Sequence, residues 1–208
     1  MKLSAAAASR GKNDAAGRKL ARDKVFEVAA DLFYRQSVRA VGVDTIVKQA
    51  GVAKISLYRS FASKDELIVA YLQDRNEKFW RQWDEAFARH QGDPRGQLRA
   101  IMRYLAKRTT QAGYRGCPFI NYCAESPEAS HPGRRIADAN KREWRRRFTA
   151  IAEALGAPRP KQLADSLLLL VEGAYAISQT LGGPERPGHA IVWAAEALLD
   201  AQIGKRSP

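Results

Sequence analysis

Two short apolar stripes of helical period meet across a single glycine. Val43, Ile46, Val47 and Ala50 form the first, which stops at Gly51, and Leu57 and Phe61 form the second. Two helical faces this close confine the chain to a helix-turn-helix. Ala50 allows close approach, Gly51 is able to adopt the left-handed backbone that the turn requires, and Val52 and Leu57 are expected to pack inward. The other side of the second short helix then faces solvent. It carries Lys54, Ser56, Tyr58 and Arg59, cations and hydroxyls suited to phosphates and base edges, with Ile55 available for a thymine methyl. Any two amphipathic helices joined by a glycine give the same turn spacing, so the flanking sequence has to decide.

Upstream, Val25, Val28, Ala29, Leu32 and Phe33 share one helical face, and a polar link through Gln36, Ser37 and Arg39 follows. Downstream, Ser63-Lys64-Asp65-Glu66 reads as a capping box in which the Ser63 hydroxyl and the Glu66 carboxylate satisfy orphan amides reciprocally. A long fourth helix therefore begins near Ser63 and ends before the breaker Gly92-Asp93-Pro94. Further helical patterns run from Leu98 to Gln111, Pro118 to Glu125, Ile136 to Leu155, Gln162 to Leu181 and His189 to Ile203, separated by segments rich in Gly, Pro or Ser. No segment alternates as a strand and no repeat of solenoid period occurs. The expectation is an all-α chain of about nine helices: a flexible basic arm over 1–18, a three-helix headpiece over 19–66, and a larger helical domain over 67–208.

Charge is distributed unevenly along the 208 residues. The formal net charge is +13, and residues 1–64 hold 13 Lys and Arg against 5 Asp and Glu, leaving +5 for the other 144. A basic headpiece gains affinity for a polyanion by releasing counterions, which makes nucleic acid the first partner to test and an anionic membrane the second. In the arm, Arg10, Lys12, Arg18 and Lys19 either reach a minor groove or phosphates, or belong to a tail without a task. No apolar run approaches a bilayer span, and no signal-peptide pattern follows Lys2, so a cytoplasmic protein is expected. Cys117 and Cys123, the only cysteines, fit neither a disulfide framework nor a zinc site.

With its flanks included, the motif is much more specific. Ala29-Ala30-Asp31-Leu32-Phe33, Ile46, Ala50-Gly51-Val52, Leu57-Tyr58-Arg59-Ser60-Phe61 and Ser63-Lys64-Asp65-Glu66-Leu67, within residues 25–67, closely resemble the headpiece of the tetracycline-repressor (TetR) family. The resemblance implies a homodimeric transcriptional repressor that binds a palindromic double-stranded DNA operator and is released by a small-molecule effector, with no cofactor, no metal and no catalysis. By position, Thr45, Lys54, Ile55, Ser56, Tyr58, Arg59 and Lys64 resemble the family's DNA contacts: Ile55, Ser56 and Arg59 toward bases, Thr45, Tyr58 and Lys64 toward the backbone, Lys54 toward either. Three places depart from the common form. Ser37 stands where glycine is frequent, Val41 and Gly42 where Thr and Ser are frequent, and Ala53 where Ser or Thr usually precedes the recognition helix. Gly42 and Ala53 are weaker N-caps, Ala53 especially, where the missing side-chain cap costs on the order of 1 kcal/mol relative to Ser.

Beyond the headpiece, Arg115-Gly116-Cys117-Pro118-Phe119-Ile120-Asn121, with Glu125, resembles a motif found in a subset of these repressors, and the last two helices resemble the family's dimerisation helices. Candidate effector-pocket residues are Trp80, Trp83, Met102, Phe119, Tyr122, Trp144, Glu172 and Tyr175. For the apolar ones, plain core packing is the competing reading. Glu172 follows five consecutive apolar residues and either orients a polar or cationic ligand, or is exposed, or pairs at the dimer interface.

Three other functions compete with this reading. An enzyme would use Cys117 or Cys123 with His131, but no nucleophile elbow, phosphate loop or metal-ligand spacing supports it. A thiol sensor would use the same cysteines as an effector site, against the alternative of inert buried thiols. An architectural or RNA-binding protein would bind random duplexes as well as any palindrome.

Overall fold

The computed structural model describes residues 3–126, 128–181 and 187–204, with the side chains of 3–16 and 18 outside that description. All regular structure among them is helical: α1 (Leu3–Arg35), α2 (Val43–Ala50), α3 (Lys54–Ser60), α4 (Lys64–Ala88), α5 (Pro94–Thr109), α6 (Pro118–Glu125), α7 (Pro132–Ala154), α8 (Pro160–Thr180) and α9 (Ala190–Ile203), with a 3₁₀ turn at Pro187–His189 before α9.

The headpiece is α1 to α3 closed by the start of α4. Val25, Ala29, Leu32 and Phe33 of α1 meet Val38, Val41, Ile46, Leu57, Phe61 and Leu67, all buried. Arg22 lies over the Phe61 ring at 5.0 Å and covers one end of this core. Residues expected to form an arm instead extend α1 back to Leu3. Ala5–Ala8, Ala15 and Ala16 are strong helix formers, and an intrinsic propensity needs no apolar stripe. The Arg10, Lys12 and Arg18 side chains lie outside the described residues.

The larger unit is built on α4, α5 and α7, with α7 against α8 as its most extensive pairing and α9 packed on α5 and α8. Trp83 and Trp144 meet edge to face at 5.1 Å, and Phe79 stacks on Trp144 at 5.0 Å. Arg95 reaches from α5 to Glu196 (2.7 Å) and Asp200 of α9, which fixes the last helix.

Three helices, α5, α7 and α8, begin earlier than their apolar pattern indicates, and α6 begins at Pro118 as expected. Pro94, Pro118, Pro132 and Pro160 all stand in first turns, where the missing N–H costs nothing and the fixed φ suits a helix. Proline read as a breaker at Gly92-Asp93-Pro94 is therefore the start of α5. At the start of α4 the cap is a variant of the expected box. Glu66 N–H donates to Ser63 Oγ (3.1 Å), but the Glu66 carboxylate accepts from Ala62 N–H (2.6 Å), one residue beyond Ser63.

Candidate nucleic-acid interface and its connection to the core

Gly51 carries the turn between α2 and α3 with φ 64° and ψ 35°, and its N–H and that of Val52 return to Lys48 O and Val47 O. Ala50 is buried and Val52 partly so, and Leu57 anchors α3 from below with no exposed surface. Neither Gly42 nor Ala53 supplies a side-chain cap, as their residue types dictate. The seven-residue α3 is thus held by Leu57 and the turn.

The outer face of α3 is solvent-facing. Ile55 is 59% exposed and Tyr58 46%, and Arg59 stands beside them. Thr45 is exposed on α2, and Ser56 is partly buried. Lys54 is not free: its ammonium pairs with Asp44 at 2.8 Å, and that hydrogen bond raises its pKa. A phosphate would have to compete with Asp44 for it. Lys64 differs again. It is half-buried in a cleft with Asp65, Glu125 and His131, and desolvation lowers its pKa.

The loop and short helix at 115–125 tie the headpiece to the core. Tyr34, near the end of α1, donates its hydroxyl hydrogen to Gly116 O (3.3 Å) and accepts from Arg115 N–H (2.9 Å). Asn121 closes the same loop on Arg115 O at 2.7 Å. Gly116 has φ 84°, and a Cβ there would run into the Gln179 amide, which accounts for glycine at this position. Glu125 accepts from Val38 N–H at 2.9 Å, across the turn after α1. The segment from Arg115 to Asn121, with Glu125, is therefore the joint between the two units.

The eight expected pocket residues do not gather around one open cavity. Trp80, Trp83 and Trp144 pack on one another, and Met102 is a buried residue of α5. Tyr122 points toward the headpiece side, its hydroxyl 2.6 Å from His131 Nδ1. Glu172 takes Lys141 of the same chain at 2.5 Å. Phe119, Trp144 and Tyr175 do share a void, of about 10 Å³, room for one water. Nearby, a cleft of about 460 Å³ opens among α1, α4, α5 and the loop after α5, and its polar lining, Arg75 and Arg108 included, was not among the expected residues. Both arginines interrupt the apolar period of their helices, Arg75 between Tyr71 and Phe79 and Arg108 three after Leu105. That interruption is a sequence signal by which they could have been found.

No helix among the described residues is long and apolar enough to cross a membrane. Residues 25–71 match the family model of the bacterial regulatory proteins, tetR family. A TetR transcriptional regulator from Streptomyces avermitilis is 32% identical in an alignment covering 88% of this chain and 97% of that one, with a TM-score of 0.76. The protein belongs to the TetR family. A TetR-family transcriptional regulator from Streptomyces coelicolor is 28% identical over 90% of this chain and 97% of its own, with a TM-score of 0.84. The HTH-type transcriptional regulator LmrA of Bacillus subtilis is 24% identical over 76% of this chain and 86% of its own. Two uncharacterized HTH-type regulators of Mycobacterium tuberculosis are 32% identical over 63 residues, so that this TetR-family chain matches only 31% of their length. Membership makes the protein a DNA-binding transcriptional regulator and sets aside the enzyme reading with Cys117, Cys123 and His131.

Proposed function

We propose that the protein is a cytoplasmic repressor that binds a palindromic operator as a homodimer and is released by a small-molecule effector. The observation that carries this reading is the outer face of α3, where Ile55 and Tyr58 stand exposed beside Arg59 on a basic headpiece. Surface of that kind has little use in water and fits a major groove, with Ile55 against a thymine methyl, Arg59 and Ser56 on base edges, and Tyr58 and Thr45 on phosphates. Lys54 joins them once a phosphate displaces Asp44, and Lys64 contributes at the rim.

The dimer rests on a second exposed surface. Leu169 is 73% exposed and Trp193 74%, with Ile177 and Leu181 continuing the apolar line of α8. Pairing α8 and α9 with the same helices of a second copy covers this surface and sets two copies of α3 on one two-fold axis, which favours a palindrome. Release requires an effector that prefers the arrangement unable to bind DNA. The contacts of Tyr34 and Val38 with the 115–125 segment are the route from core to headpiece.

Selection of bound fragments from genomic DNA tests the whole reading. The expected result is enrichment of a palindrome, located beside the regulated gene, with affinity for random duplexes lower by about 10³-fold or more. Arg59→Ala is expected to lose that preference. Failure to enrich any sequence refutes the specific regulator and favours the architectural alternative.

A further inference from the structure

The cleft among α1, α4, α5 and the loop after α5 has an unbalanced lining. Arg75, Lys78, Lys107 and Arg108 reach it, and no Asp or Glu does. Lys78 has a carboxylate partner in Asp74 at 2.9 Å, outside the cleft. Among the described residues neither arginine forms an ion pair with a carboxylate. Arg108 donates to the Tyr104 hydroxyl at 3.1 Å. Arg75 donates weakly to Ala30 O at 3.5 Å, and its guanidinium lies over the rings of Tyr34 (4.9 Å) and Tyr71 (5.4 Å).

Two buried polar atoms there lack a partner: Arg75 Nε and the hydroxyl of Tyr114, a residue only 9% exposed. Burial pushes the Tyr114 phenol well above its ordinary range, so at neutral pH it is a donor in need of an acceptor. Two half-buried guanidinium groups without a carboxylate partner, and a buried phenol without an acceptor, are costly to hold. All three deficits are of one sign. Phe79 and the Tyr34 ring supply apolar wall, and about 460 Å³ suits a small organic molecule.

We infer that this cleft binds a small organic anion, a carboxylate on a flat apolar body, and that it is the effector site of the regulator proposed above. A planar carboxylate matches the guanidinium fork of Arg108 and keeps a second lone pair on each oxygen to accept from Arg75 Nε or Tyr114. The inference rests on the effector reading and gives it a ligand class. It also supplies a mechanism. Arg75 leans on the last turns of α1, through Ala30 O and the Tyr34 ring, and Tyr34 is the residue bonded to the 115–116 backbone. An anion that draws Arg75 toward Arg108 removes its support from α1 and so prefers a displaced headpiece.

The test uses the full-length protein with benzoate and 1-naphthoate as probes, benzamide and 1-naphthamide as neutral isosteres, and benzylamine as a cation. Thermal unfolding and calorimetric titration read binding; operator affinity is measured on the same preparation. At least one carboxylate is expected to raise Tm with concentration, to bind about ten-fold or more tightly than its amide, and to weaken operator binding. Arg108→Met is expected to abolish the carboxylate response while unfolding at an equal or higher temperature, because an uncompensated charge has been removed. Should that variant fail to fold, Tyr114→Phe, which deletes only the unpaired hydroxyl, is expected to weaken the carboxylates and not the amides. Equal binding of amide and carboxylate, no carboxylate binding at millimolar concentration, or an undiminished response in these variants overturns the anion site. A bound carboxylate that leaves operator affinity unchanged overturns its assignment as effector site. Loss of the regulator reading is separate, since it is read from the absence of sequence-specific DNA binding without any probe.

Discussion

Ser37, in the turn between α1 and α2, has a φ of 147°, a region that side-chain-bearing residues rarely adopt and that glycine occupies freely. Strain of this kind costs about 1–3 kcal/mol. Against it, Ser37 Oγ accepts from Arg39 N–H (3.1 Å) and Ala40 N–H (3.3 Å), both on exposed residues whose amides water is able to serve in its absence. Ser37→Ala removes both hydrogen bonds and keeps the strain, so it should destabilise by about 1 kcal/mol. Ser37→Gly removes the same bonds and the strain, at a cost of about 0.5–1 kcal/mol in chain entropy. The two variants differ only in strain and entropy, and glycine should be the more stable by roughly 0.5–2 kcal/mol. In an unstrained loop the order is the reverse. For a chain of this length each kcal/mol moves Tm by about 2–4 °C, within reach of thermal or urea unfolding followed by circular dichroism. An alanine variant as stable as the glycine variant, or more so, would refute the strain argument. The adjacent Val38 is the residue held by Glu125, so the same turn positions the headpiece on the core.

Two further outcomes are expected. Trp193→Glu, alone or with Leu169→Glu, places charge in the exposed α8–α9 stripe and should convert a dimer to a monomer in sedimentation equilibrium, with operator affinity falling by about ten-fold or more; a wild-type protein that is already monomeric at micromolar concentration sinks the dimer. Stability should fall in acid. Arg146, with Arg147, holds the Glu143 carboxyl at about 2, and although partial burial pushes Glu196 upward, Arg99 and Arg95 outweigh it and keep it low. Both folded-state values lie below the ordinary carboxyl value of 4.5, so their stabilisation is present above that pH and is lost as pH falls toward about 2. Urea unfolding across this range should show the decline, and Glu196→Gln should flatten part of it; a stability that rises on acidification contradicts the assignment.

Much of the site was legible because it is local. The Gly51 turn, the inward Leu57 and the outward Ile55, Tyr58 and Arg59 follow from a helical period and one left-handed residue. The partners of the charged residues are less local. Lys54 is drawn to Asp44 on the preceding helix, and Lys64 is half-buried by segments more than sixty residues downstream. The apolar stripe places two helix starts late, at Leu98 and Ile136, because it marks what is buried, whereas the proline-led first turns at Pro94 and Pro132 depend on backbone geometry.

The aromatic residues of the larger unit illustrate the harder limit. Period alone gives Trp80, Trp83, Trp144 and Tyr175 inward directions, and a packed cluster and a ligand pocket demand the same direction. Which one forms depends on whether facing helices leave a gap, a property of crossing geometry and side-chain volume across α4, α5, α7 and α8. The sequence by itself determined an all-helical chain, the helix-turn-helix and its exposed reading face, since these rest on neighbours within a few turns. Only the tertiary structure decided that Trp83 and Trp144 fill the core, that Glu172 belongs to Lys141, and that Arg75 and Arg108 converge on a cleft without a carboxylate, because a charge is balanced or left unbalanced by whatever packing brings beside it.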